Sequence, residues 1–223
     1  MSSPLSVALE LAVRQVPQPQ AAAELMDRLP ERSTALASLA TTITGQAVAL
    51  YRELAAERPD RFHSPLAGSL TNLSRRLTDV GQWAEALAAG NEAVAIRREL
   101  AAAQPEAFRP DLAASLNDQS KRLADMGQWE EALAAGEQAV AAYRDLATAR
   151  TAVFLPELAD ALLCTSVVLA DLGRHEDSQA NGEEAVVHYQ RLANENPSRY
   201  SQGLARALDN LVTQKANLGC GKE

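Results

Sequence analysis

The sequence predicts an all-α protein, a right-handed α-solenoid of antiparallel helical hairpins with a 46-residue period. Three observations carry this. Apolar residues make up 47 % of the 223 residues but aromatics only 4 %, so the apolar content is chiefly Ala, Leu and Val, and Ala and Leu are the strongest helix formers. The decapeptide GQWAEALAAG at 81–90 recurs as GQWEEALAAG at 127–136, an offset of 46 residues. Apolar residues between these landmarks fall at helical spacing.

The offset holds well beyond the decapeptides. YREL at 51–54 is followed by RREL at 97–100, YRDL at 143–146 and YQRL at 189–192. Phe62, Phe108, Phe154 and Tyr200 keep the same step, as do Leu66, Leu112, Leu158 and Leu204, then Leu70, Leu116, Leu162 and Leu208. Glycine returns at 81, 127, 173 and 219. A fixed period over most of a chain is the signature of a stacked array.

Each unit reads as two helices. Leu112, Leu116, Ser120 and Leu123 mark one face of the first, which Gly127 ends. Trp129, Ala132, Leu133, Gly136, Ala139, Val140, Tyr143 and Leu146 mark one face of the second. That helix ends near the positions of Pro59, Pro105 and Pro197, with Thr151 standing in once for proline. First helices of about 16–18 residues and second helices of about 20–22 would span roughly 25 and 32 Å. A short turn between them imposes antiparallel packing. A lone hairpin cannot bury its apolar faces, so copies stack. Gly90, Gly136 and Gly182 fall mid-helix at one phase, where glycine costs roughly 0.5–1 kcal/mol against alanine. They either admit close backbone approach or are inherited from duplication.

The expected organisation begins with N-terminal capping helices or a degenerate half-repeat at 1–34, broken by VPQPQ and Pro30. The array covers 35–219, as a half-repeat 35–62, units 63–108, 109–154 and 155–200, and a capping helix 201–219; 220–223 is a tail. Leu77, Leu123 and Leu169 share a register in which the fourth unit has Lys215. A charge there fits an outer face that meets water, so the array is expected to end naturally near 219.

Composition excludes several classes. A formal charge of −8 argues against a nucleic-acid surface. The two cysteines, Cys164 and Cys220, fit no zinc or redox spacing and read as inert thiols of a reduced, cytoplasmic protein. The N-terminus lacks the basic segment of a signal peptide and carries Glu10 in its apolar stretch. The run ALLCTSVVLA at 161–170 is about half the length of a spanning helix, so no membrane contact is expected. NLGCGKE at the C-terminus fails as a phosphate loop, which would need glycine at Ala216 and Ser or Thr at Glu223. His175 and His188 lie 13 residues apart, about 220° around one helix, and cannot share a metal. His175 takes the place of Trp83 and Trp129 and reads as a packing residue. No nucleophile–base arrangement emerges, so no enzyme activity, cofactor or metal is expected.

The segment GQWEEALAAGEQAV at 127–140 resembles the second-helix half of a tetratricopeptide repeat. Gly127, Trp129, Ala132 and Ala139 fall on that family's glycine, aromatic and small-residue positions, as do Gly81, Trp83, Ala86 and Ala93. The third unit keeps Gly173 and Ala185 but has His175 and Ser178. In first helices, Ser74, Ser120 and Ser166 occupy a position where the family has a small residue. The period exceeds the usual 34 and is similar to that of kinesin-light-chain-like arrays common in bacterial, especially actinobacterial, proteins.

The resemblance implies a non-enzymatic scaffold that binds a peptide or protein segment on a concave wall of first helices. By register that wall would present Thr71 and Arg75, Asn117 and Lys121, Leu163 and Val167, then Asp209 and Thr213, with Asp160 and Arg206 a turn earlier. Arg75 and Lys121 would pair with an acidic group or be merely solvated charges. The Lys and Asn pattern with which chaperone-binding arrays clamp a terminal carboxylate is incomplete here. The alternative is a ligand- or peptide-sensing regulatory module that signals to an effector. Self-assembly through an uncapped end is disfavoured by Lys215, leaving a monomer or weak dimer as the expected state.

Overall fold

The computed structural model describes residues 34–220; what the sequence suggests for residues 1–33 and 221–223 lies outside them. The described residues form α1 (Thr34–Glu57), α2 (Pro59–Asp79), α3 (Trp83–Ala103), α4 (Pro105–Asp125), α5 (Trp129–Ala149), α6 (Thr151–Asp171), α7 (His175–Glu195) and α8 (Pro197–Cys220). There is no strand among them. The chain divides into two compact units at the first turn of α4, one ending at Glu106 and the other starting at Ala107.

The helix boundaries follow from two repeated devices. First helices end in a glycine turn. Gly81, Gly127 and Gly173 have φ of 77°, 72° and 74°, the left-handed region that a Cβ disfavours. The next N–H in each turn reaches back five residues, Gln82 to Leu77 O, Gln128 to Leu123 O and Arg174 to Leu169 O, at 2.8–2.9 Å, and so satisfies an orphan carbonyl of the helix end. Gly219 breaks the pattern, because α8 runs through it to Cys220.

The second device separates consecutive hairpins by a single extended residue. Arg58, Gln104, Arg150 and Asn196 have φ between −139° and −145°, the region imposed on a residue before proline. The following helix then opens on Pro59, Pro105 or Pro197, where proline's missing N–H would be unpaired in any case. Arg150 adopts the same conformation before Thr151, whose hydroxyl donates to Ala147 O at 2.7 Å. This makes α2, α4 and α6 21 residues long, longer than the 16–18 expected. The proline that reads as the end of one hairpin is the first residue of the next.

In the unit ending at Glu106, α2 packs against both α1 and α3. Val48, Tyr51, Leu66, Leu70, Ala86 and Ala93 fill the space between them. An exposed bidentate pair, Arg52 with Glu92 at 2.5–2.9 Å, joins α1 to α3. In the unit starting at Ala107, Arg144 and Glu184 repeat that pair at the same phases, joining α5 to α7.

The core of this second unit is gathered around α6, with Leu158, Leu162, Leu163, Tyr143, Tyr189 and Leu192 buried together. Packed by α5 on one side and α7 on the other, α6 is apolar nearly all round. It is long and apolar enough to cross a membrane, with a mean hydropathy of 1.8 over its best window, although more than half of that window is buried among its neighbours. The run at 161–170 is therefore part of a longer apolar helix than it suggests on its own.

Serine hydroxyls tie the two helices of each hairpin. Ser74 donates to Ala86 O at 2.5 Å and Ser120 to Ala132 O at 2.7 Å, all four residues being buried. In the third hairpin Ser178 replaces alanine and the bond reverses, Ser178 donating to Ser166 O at 2.7 Å. The Ser166 hydroxyl is then released to donate to Asn210 of α8 and to accept from Gln214. Mid-helix glycine has a steric role at Gly136 and Gly182. A Cβ at Gly136 would lie 2.8 Å from Thr165 Oγ1 and 3.0 Å from Ser120 Oγ, and one at Gly182 would lie 3.0 Å from Gln214 Oε1. Leu77, Leu123 and Leu169 are buried, whereas Lys215 at the same phase is exposed and approaches Glu183 at 3.4 Å.

Candidate partner-binding site

The ten residues expected on a first-helix wall do not share one environment. Those at the phase of Thr71, Asn117, Leu163 and Asp209 range from half-buried through buried, at 7 % and 2 % exposure for Asn117 and Leu163, to exposed. Leu163 is thus a core residue and not part of an outward wall. The reason is that this phase of a first helix faces the first helix of the following hairpin, as the bond from Asn117 on α4 to Asp160 on α6 shows. The next phase is more open: Arg75, Val167 and Thr213 are exposed. Thr213 donates to Asp209 O along its own helix. In the first unit, Thr71 accepts from Arg97 Nη1 at 2.9 Å and donates to Ala67 O.

Four of the ten come together in the second unit. Asp160 Oδ2 accepts from Lys121 Nζ at 2.7 Å and from Asn117 Nδ2 at 3.1 Å. The Asn117 amide must point its NH₂ at this carboxylate, which leaves its Oδ1 buried without a partner among the described residues. Burial pulls the Lys121 ammonium down, but Cys164, Asp160 and Asp118 outweigh it and its pKa is raised. One turn along α6, burial and the Asp160 carboxylate push the Cys164 thiol up to about 11, against the pull of Lys121 and Arg206. This thiol is protonated at neutral pH and a poor nucleophile.

Asp160 and Arg206 also line one open cleft of about 340 Å³, completed by Pro156, Tyr189, Arg199, Tyr200, Gln202 and Gly203. On α8 the lining residues 199, 202, 203 and 206 form one helical stripe. The Tyr189 ring lies so close over Gly203 that a Cβ there would be 2.4 Å from it. Arg199 stacks on Tyr200 with its guanidinium carbon 5.2 Å from the ring centre. Burial pushes the Tyr189 hydroxyl up to about 12, with Asp160 adding to the rise and Arg206 opposing it. Sequence reasoning found Asp160 and Arg206 but missed the other six. The available signal was a change of residue type at shared phases, where Glu157 and Asp160 of one hairpin give way to Gly203 and Arg206 of the next.

No group of three or more His, Cys, Asp or Glu suited to a metal occurs among the described residues. His175, at the first position of α7, is half-buried with Nδ1 unpartnered.

The stretches 66–103 and 112–147 each match the tetratricopeptide repeat family. No curated protein sequence matches the chain. Among solved structures, BtubC (BKLC) from P. vanneervenii is similar over 99 % of this chain and 94 % of its own, with 17 % identity and a TM-score of 0.58. The protein MamA 41-end from Desulfovibrio magneticus RS-1 aligns over 93 % of this chain and 99 % of its own, with 13 % identity and a TM-score of 0.49. Nearly identical kinesin-light-chain TPR-like repeats from Podosopora anserina align over 91 % and 99 %, with 21 % identity and a TM-score of 0.43. At these identities the first of the three is a likeness of fold.

Proposed function

We propose that this chain, of which 66–103 and 112–147 match the tetratricopeptide repeat family, is a protein–protein interaction scaffold that binds a peptide segment on the first helices α4, α6 and α8. The observation that carries the reading is the convergence of Lys121, Asp160 and Arg206 from three successive first helices onto one polar surface. The one thiol in the cluster is held protonated and is a poor nucleophile there. The binding surface is half-buried where Asn117 and Lys121 brace Asp160 and open where Arg206 meets solvent. Such a surface offers fixed hydrogen-bond groups to an extended chain.

Hydrogen exchange with pooled, end-blocked hexapeptides tests this. Bound peptide should slow exchange in α4, α6 and α8, with α7 affected only where Tyr189 lines the cleft, and leave α5 unchanged. Protection confined to α5 and α7, or none with any pool, would sink the reading. Protection by small metabolites alone would favour a sensor module.

A further inference from the structure

We propose that the cleft between α6, α7 and α8 seats one carboxylate of the bound peptide, an Asp or Glu side chain, between Arg199 and Arg206. This deepens the peptide-scaffold reading and rests on it.

The cleft differs from its counterpart one hairpin earlier at the positions that set its charge. Stepping back by the period, Arg199 corresponds to Val153, Gly203 to Glu157 and Arg206 to Asp160, while Tyr189 corresponds to Tyr143 and Tyr200 to Phe154. The aromatic frame is thus kept while two acidic groups and a valine are exchanged for two guanidinium groups and a gap. The neighbours of the two tyrosines differ in the same sense: Tyr143 lies among Glu157, Asp118, Asp160 and Asp111, whereas Tyr189 has Arg206 beside it as well as Asp160 and Glu157. On a chain of formal charge −8, a local reversal to basic is a feature in need of a counter-ion.

No carboxylate among the described residues supplies one. Among the described residues, neither Arg199 nor Arg206 has an acidic group within ion-pair distance. Asp160, the acid that lines the same cleft, is turned to Lys121 and Asn117. Gly203 lets the Tyr189 ring lie against α8 and so sets the wall of the cleft, at a position where the previous hairpin carries Glu157. Because Asp160 is already paired with Lys121, the charge left for a ligand to meet is that of the two guanidinium groups. Arginine's planar fork matches a carboxylate edge, and a cleft of about 340 Å³ holds a side chain and not a folded element.

The experiment uses the full chain and fluorescein-labelled, end-blocked hexapeptide pools with Glu or Gln fixed at each position, read by anisotropy. One Glu pool should bind on the order of tenfold tighter than its Gln partner, the yield of a charge-assisted hydrogen bond. Arg206→Gln and Arg199→Gln should each erase that preference with the helical circular dichroism unchanged. Arg191→Gln, altering an exposed α7 arginine that faces Glu195, should keep it. Displacement by millimolar glutarate would assign the seat to any free carboxylate, and its failure would show that the peptide backbone is required; a Glu preference sensitive to Arg206 supports the seat in both cases. Equal binding of Glu and Gln pools refutes the seat and leaves the scaffold intact. A Glu preference that survives the double variant places the carboxylate elsewhere, and no binding by any pool removes the scaffold reading as well.

Discussion

A methyl group placed on Gly136 would stand 2.8 Å from Thr165 Oγ1 and 3.0 Å from Ser120 Oγ. Neither oxygen is free to retreat, because Thr165 donates to Ala161 O and Ser120 to Ala132 O, both buried. Gly136→Leu therefore forces the α4–α5 and α5–α6 contacts apart, an overpacking change that costs about 1–3 kcal/mol. Gly45, inside α1, has nothing within 4 Å of where its Cβ would lie. There Gly45→Ala meets no neighbour and gains the helix preference of alanine, about 0.5–1 kcal/mol. Urea unfolding should move the midpoint down for the first variant and up for the second. A Gly136→Leu protein as stable as wild type would mean that the mid-helix glycines are relics of duplication.

At the scale of elements, one phase of the first helices carries the clearest contrast. Leu70, Leu116 and Leu162 are buried to 0 %, 3 % and 0 % exposure, while Leu208 on α8 is 42 % exposed. The first three lie where a first helix meets its own second helix; α8 is packed by α7 and, lightly, by α6. Leu162→Ala should thus cost about 2–5 kcal/mol, as a cavity in a filled core does, and Leu208→Ala under about 1 kcal/mol. Equal losses in denaturant would show that the shared phase does not report shared burial. The same four leucines show what the sequence makes legible. Their even spacing announces stacked hairpins because helix periodicity and repeat period are both local regularities. Burial is less legible, since it depends on the neighbour that follows. Asn117 and Leu163 look outward in a single hairpin and are covered by the next. First-helix length is less legible for a related reason, whereas the second helices have the expected length: proline is both a terminator and a favoured first residue, and only the extended backbone of Arg58, Gln104 and Asn196 decides between them.

For the whole molecule, the site was legible only in part, because a cleft is a difference between hairpins and a repeat is read by what they share. Asp160 and Arg206 surfaced as members of one phase, but the opening between them depends on Gly203 and the Tyr189 ring above it. The buried chemistry around that opening predicts how the stability of the entire chain responds to alkali. Burial raises the Cys164 thiol from 9.0 to about 11 and the Tyr189 hydroxyl from 10.0 to about 12. Lys121 is raised as well, by Cys164, Asp160 and Asp118 against the burial that would lower it. In each case the native state keeps a proton that the unfolded chain has already released. The unfolded state then binds fewer protons, and stability falls as pH rises. The loss is absent below the unfolded thiol's pKa, begins near pH 9, and reaches roughly 2–3 kcal/mol from Cys164 alone by pH 11. Tyr189 and Lys121 add to it above about pH 10. Urea midpoints measured at pH 8, 9, 10 and 11 should fall across that window, and Cys164→Ala should delay the onset by about one unit toward the tyrosine and lysine range. An onset unmoved by Cys164→Ala would place the thiol in water and detach it from the Asp160 cluster beside the cleft.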